Sequence, residues 1–112
     1  MKHHKQCYIC GDENWTEEHH VFQGTGRRAV SHKHGMVVYL CHKHHNEGKD
    51  SVHGSRIVRL KLQCIFQRQF EKTHTREEFI KVFSKSYIDE AELYREEIDQ
   101  LQKYVGNLEE SI

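Results

Sequence analysis

"VVYLCHKHHNEGKDSVH", residues 37–53, decides how this chain folds. The opening VVYLC is apolar and closes on a cysteine, which predicts a buried strand over 37–41. The polar, histidine-rich residues that follow can open a short helix, which Gly48 weakens. Cys41 and His44 stand at the junction with C-x-x-H spacing, so both side chains can reach one ion. His45 follows at once and must point elsewhere, and His53 comes eight residues later.

Upstream, Cys7 and Cys10 form a C-x-x-C pair. With Cys41 and His44 they supply thiolates and an imidazole in a normal tetrahedral zinc set. A dithiol redox motif is the alternative for Cys7 and Cys10, but no βαβ pattern surrounds them. Cys64 sits mid-helix on an apolar face and reads as a core residue. The common DNA-reading zinc finger needs about 12 residues between its pairs. Here 30 residues, Gly11 to Leu40, lie between Cys10 and Cys41. The zinc therefore staples the two ends of a longer, functional loop.

That loop contains "EEHHVF", residues 17–22, and "GTGRRAVSHKHG", residues 24–35. The first supplies the partner strand, expected over 19–23, and the second is a glycine-bounded basic loop. Adjacent strand residues face opposite ways, so His19 and His20 have different jobs. One can join His45 and His53 around a second metal, and the other can face a substrate. Arg27, Arg28 and Lys33 are suited to phosphate oxygens, which match the arginine fork.

Residues 55–112 read as helical. "SRIVRLKLQCIFQRQFEK" (55–72) repeats its apolar residues at roughly helical spacing. In 73–87, Thr75 followed by Glu78 is a capping-box pattern. Residues 89–111 make a third helix. Tyr87, Ala91, Tyr94, Ile98, Leu101, Val105, Leu108 and Ile112 recur at alternating steps of four and three, the seam of a coiled coil. The seam fits a homodimer through residues 89–112, or the same helix folded back on 55–72 of its own chain.

At 112 residues the chain is one small domain, and folds of this size often need a metal or a partner. It divides into a metal-bearing core (1–54), supporting helices (55–88) and an acidic C-terminal helix (89–112). The formal charge of zero hides an asymmetry: residues 1–88 carry +6 and residues 89–112 carry −6. A basic body suits a polyanionic partner. No apolar run is long enough for a signal peptide or a membrane helix. Cysteines without an export signal point to a reducing, cytoplasmic setting and to metal binding rather than disulfides.

The order C-x-x-C, then "HHVFQGTGRR", then "VYLCHKHHNEGKDSVH" resembles the HNH nucleases, and in particular small HNH proteins of phages and prophages. The likeness covers residues 7–87 and is strongest over 7–53. It implies an α+β fold, a zinc-stapled β-hairpin followed by a helix that grips a divalent metal (the ββα-metal arrangement), with a helical C-terminal half. It also implies metal-dependent hydrolysis of DNA phosphodiester bonds in a bacterial host cytoplasm. His20 then matches the general base, and histidine's neutral form suits that role near pH 7. His19, His45 and His53 match ligands of a catalytic divalent ion, Mg2+, Mn2+, Ni2+ or Zn2+, beside the structural Zn2+. One position departs from the pattern. Met36 stands where the family's middle Asn orients the base, a task left to His32, His34 or the backbone. The other readings are a non-catalytic, zinc-containing nucleic-acid-binding accessory and an adaptor that works through its acidic helix. "HNE" (45–47) also raises a zinc deaminase, but that signature needs a following P-C-x-x-C, and the chain has no proline.

Overall fold

The computed structural model describes residues 6–13, 15–22, 30, 33–46 and 51–101. Two strands, β1 (Thr16–His20) and β2 (Val37–Cys41), pair antiparallel with Thr16 opposite Cys41 and His20 opposite Val37. A short helix α1 (His42–His45) starts where β2 ends, with Cys41 in extended geometry at its cap. The helical half follows: α2 (Arg56–Phe70), α3 (Arg76–Phe83), α4 (Tyr87–Ala91), a 3-10 turn (Glu92–Tyr94) and α5 (Arg95–Leu101). This is a small α+β fold, as the sequence indicates. No helix among the described residues is long and apolar enough to cross a membrane.

The hairpin presents Val38 and Leu40 to the core from β2 and His19 from β1. β1 starts and ends three residues earlier than the sequence predicts. The β-formers Val21 and Phe22 lie beyond its end, while Glu17 and Glu18, poor strand residues, lie within it. Strand preference is decided by what the side chains meet in the folded state. Phe22 is fully buried among aromatic rings 4.5 Å from Phe83, 5.0 Å from Tyr87 and 5.4 Å from Phe79. It leaves the sheet to bind the hairpin to the helices. The Val21 N–H still donates to the Met36 carbonyl at 3.1 Å, one bond past the last strand pair. Gly35, at φ 71°, makes the left-handed turn into β2.

The helices start where the caps say. Ser55 accepts the N–H of Val58 at 3.2 Å. Thr75 and Glu78 form the expected capping box, with bonds of 3.0 and 2.7 Å. Ser86 accepts from Asp89. α4 receives help from a neighbour. Gln67, fully buried on α2, accepts the N–H groups of Tyr87 at 2.7 Å and Ile88 at 3.1 Å. A helix start has N–H groups with no intrahelical partner, and Gln67 provides one from across the core. Cys64 is buried, as expected, and its thiol donates to the Tyr87 carbonyl at 3.3 Å.

The third helix differs from expectation in continuity. It begins at Tyr87 rather than Asp89, tightens to a 3-10 turn at Glu92–Tyr94 and resumes at Arg95. Its first seam residues are turned inward: Tyr87 and Ile98 are buried, and Ala91 and Tyr94 pack against the chain's own core. Leu101 closes α5, and the last seam residues, Val105, Leu108 and Ile112, lie outside the described residues.

Candidate functional site

Among the described residues, two clusters of side chains that could hold a metal ion gather around the hairpin. The first comprises Cys7, Cys10, Cys41 and His44, with one donor atom from each within 4.8 Å of all the others. A tight turn shapes the first knuckle: Gly11 N–H donates to the Cys7 carbonyl at 2.8 Å, with Gly11 at φ 82°. Tyr8 N–H donates to the Tyr39 carbonyl at 2.8 Å, laying the knuckle against β2. The second knuckle is the strand-to-helix junction itself, which brings Cys41 Sγ to 3.2 Å from His44 Nδ1. Cys10 and Cys41 sulfurs stand 3.8 Å apart, as do Cys7 Sγ and His44 Nδ1. A tetrahedron with metal–sulfur arms of about 2.3 Å has edges of about 3.8 Å, the separation of two of these pairs.

The electrostatics of this cage also fit a cation. None of its cysteines is in a disulfide. At Cys7, burial works against the thiolate, but backbone N–H groups at Cys41, Cys10 and Ile9 outweigh it and hold the thiol below its ordinary value. Cys10 is pushed up to about 11, first by burial and then by the neighbouring thiols Cys7 and Cys41. A crowd of thiols resists acquiring several negative charges in a partly dry site. A divalent cation removes that resistance and deprotonates its thiol ligands.

The second cluster is His19, His45 and His53, again with donors within 4.8 Å of one another. His19 comes from β1, His45 from the end of α1. His53 is returned to them after the 47–50 segment by two backbone bonds: Val52 N–H to the His44 carbonyl at 2.9 Å and His53 N–H to the His45 carbonyl at 3.2 Å. The ring nitrogens Nε2 of His45 and His53 are 3.2 Å apart. The His19 ring centroid lies 5.3 Å from each of the other two. Imidazole ligands at about 2.0–2.1 Å from a tetrahedral ion are about 3.4 Å apart, close to the observed edge.

His19 is 1% exposed. Burial, followed by the charges of His45, His53, His20 and Arg59, lowers its pKa to about 3. His53 is lowered too, by burial first and then by His45 and Arg59. Both therefore stay neutral at physiological pH, the form in which imidazole ligates a metal. The donor set fits a divalent first-row ion.

Glu17 completes the arrangement. Its carboxylate accepts from His45 Nδ1 at 2.7 Å and from Asn46 Nδ2 at 3.0 Å. The hydrogen bond from His45 is the main cause of Glu17's lowered pKa. The bond also fixes the tautomer, leaving Nε2 of His45 to face His53. Metal-bound histidines are commonly oriented by such a carboxylate. The sequence reading names neither Glu17 nor Asn46 as a site residue. The signal was present: Glu17 is two residues from His19 and so on the same strand face. Glu17→Gln is expected to weaken metal binding at the histidine cluster by about 10–100-fold while leaving the cysteine cage loaded. Isothermal titration with Mn2+ or Ni2+ on both proteins measures it.

His20 is half-buried at the end of β1, next to His19 in the chain and paired in register with Val37. Of the residues expected on the basic loop, Lys33 is exposed; Arg27, Arg28 and His32 lie outside the described residues. Met36 is buried, and its carbonyl takes the Val21 N–H. His34 is engaged edge-on with Phe70 at 5.9 Å and Phe83 at 6.1 Å. No family model, curated protein or solved structure matches this chain.

Proposed function

We propose that this protein is a metal-dependent HNH-type endonuclease that hydrolyses phosphodiester bonds in DNA. The observation that carries the reading is the convergence of His19, His45 and His53, with Glu17 behind His45 and His20 adjacent in the chain. A zinc-stapled scaffold alone has no use for a second cluster of three converging imidazoles. In this reading Cys7, Cys10, Cys41 and His44 hold a structural zinc, and the histidine cluster holds the catalytic divalent ion. That ion, when bound, steadies the charge of the phosphate and of the leaving 3′-oxygen. His20 takes the proton from the attacking water. Glu17 fixes the orientation of His45, and the Arg27, Arg28 and Lys33 side chains supply positive charge along the strand.

Met36 favours the second reading, a nucleic-acid-binding accessory without catalysis, because it removes the side chain that orients the base in the family this chain resembles. Against it stands the backbone bond from Val21 N–H to the Met36 carbonyl. This bond closes the hairpin immediately after His20 and restrains it without a side chain. Supercoiled plasmid incubated with the protein is expected to be nicked on addition of Mg2+, Mn2+ or Ni2+ and to stay intact with no added ion. Plasmid that stays supercoiled with every ion while the protein still retards it on a gel favours the accessory.

A further inference from the structure

The first turns of α2 border a groove of about 280 Å3 whose polar lining includes Arg56, Arg59, Gln63, Lys85 and Glu90. Two of its walls are bonded to the backbone right beside the histidines. Arg59 donates to the Val52 carbonyl at 2.9 Å, next to His53, and Gln63 donates to the Val21 carbonyl at 3.3 Å, next to His20. The groove's walls are therefore anchored one residue from His53 and one residue from His20. Three cations and one carboxylate line it. Glu90 accepts from both Arg56 and Lys85, so these hold each other in place. Arg56 also lies 4.9 Å over the Tyr94 ring, and Lys85 5.0 Å over the Tyr87 ring. Arg59 is different: among the described residues no carboxylate pairs with it. Its guanidinium is held by one arm through the Val52 carbonyl at 2.9 Å and lines the groove.

We infer that this groove seats a backbone phosphate of the nucleic-acid strand, next to the phosphate that the histidines face, with Arg59 as its positioning residue. The inference rests on the nuclease reading and deepens it by giving the strand a path along α2. The surplus positive charge attracts an anion. The planar guanidinium offers parallel N–H donors that match a phosphate's oxygens, which an ammonium does not. The tether to Val52 fixes the guanidinium relative to His53, so the strand's register is set against the histidine cluster. Arg56 and Lys85, already neutralised in part by Glu90, add field rather than a specific contact.

The test is fluorescence anisotropy of a short labelled DNA duplex with the zinc-loaded full chain, without added Mg2+, across a KCl series. It is run on the natural sequence, Arg59→Gln, Arg59→Lys and the double variant Arg56→Gln/Lys85→Gln, with plasmid nicking in parallel. Arg59→Gln keeps a donor for the Val52 carbonyl. It is expected to weaken binding about tenfold and to reduce the salt slope by about one, the release expected for a single phosphate contact. Arg59→Lys keeps the slope but loses affinity. The double variant changes affinity less than Arg59→Gln does. Should Arg59→Gln lose its zinc, Arg59→Lys carries the test by its lowered affinity at unchanged slope. Equal affinity and slope for all Arg59 variants, or no binding of the duplex by the natural sequence, overturns the groove. Arg59-dependent binding with no cleavage under any divalent ion overturns the nuclease reading and leaves the groove standing.

Discussion

Serine in place of Cys41 is expected to abolish zinc retention and to unfold the hairpin. Cys41 holds several positions at once. It is the last residue of β2 and the N-cap residue of α1, and its sulfur stands 3.2 Å from His44 Nδ1 and 3.8 Å from the Cys10 sulfur. The strands it joins are five residues each, and a two-stranded hairpin is marginal by itself. Structural zinc contributes about 10–16 kcal/mol to the folding of small zinc-finger peptides, whereas a whole domain is stable by about 5–15 kcal/mol. Zinc in such a cage would contribute about as much as the rest of a small fold. The damage should spread, because Phe22 is carried by the hairpin and packs among Phe79, Phe83 and Tyr87 of the helices. Cys64→Ser is the control. That thiol is equally buried but lies far from the cage in function, donating only to the Tyr87 carbonyl. It should keep its zinc and melt a little lower. Elemental analysis and circular dichroism melts on both variants decide the matter. A Cys41→Ser protein with the natural melting temperature, or a natural protein that folds without zinc, contradicts the expectation.

What was legible in the sequence was whatever depends on short spacing. The two knuckles, the thiol in the core and the Thr75–Glu78 cap are set by residues two to three apart, and the structure places each as expected. Strand alternation separates His19 from His20 but leaves open which of them joins His45 and His53; only the resemblance to the HNH nucleases singles out His19. The limits of β1 were not legible. Local preference favours Val21 and Phe22 as strand, and the aromatic cluster that claims Phe22 is assembled from residues more than fifty positions away. Glu17 was hidden for the opposite reason. As a strand residue it looks like a solvated charge, and only the arrival of α1 from the other end of the hairpin shows what it holds. The inward packing of Tyr87 and Ile98 likewise follows from α2 lying beside them. A heptad seam describes an apolar stripe without saying which chain covers it.

His20→Ala is expected to lower the rate of DNA cleavage by about 100–10,000-fold, the usual share of a general base, while sparing the fold and both metals. The position tolerates the change. His20 is half-buried at the C-terminal end of β1, its backbone pairing with Val37 does not involve the ring, and the bond from Val21 N–H to the Met36 carbonyl remains. The cluster of His19, His45 and His53 is untouched by it. His45→Ala must behave differently. It removes a ring whose Nε2 is 3.2 Å from that of His53 and leaves Glu17 without the donor it orients. That variant should lose cleavage through loss of the divalent ion, so raising the ion concentration should restore part of its activity. His20→Ala should respond to no concentration of metal, since its ligands are intact, but should recover in part with added imidazole, which returns a base to the vacated space. The two variants thus separate a group that moves a proton from one that holds an ion, although one histidine ends β1 and the other ends the short helix that follows β2. Rates are read from plasmid nicking and metal affinity from calorimetry. His20→Ala that nicks at the natural rate removes His20 from the chemistry. His20→Ala that fails to bind the second metal makes His20 a ligand, and the base must then be sought elsewhere on the rim.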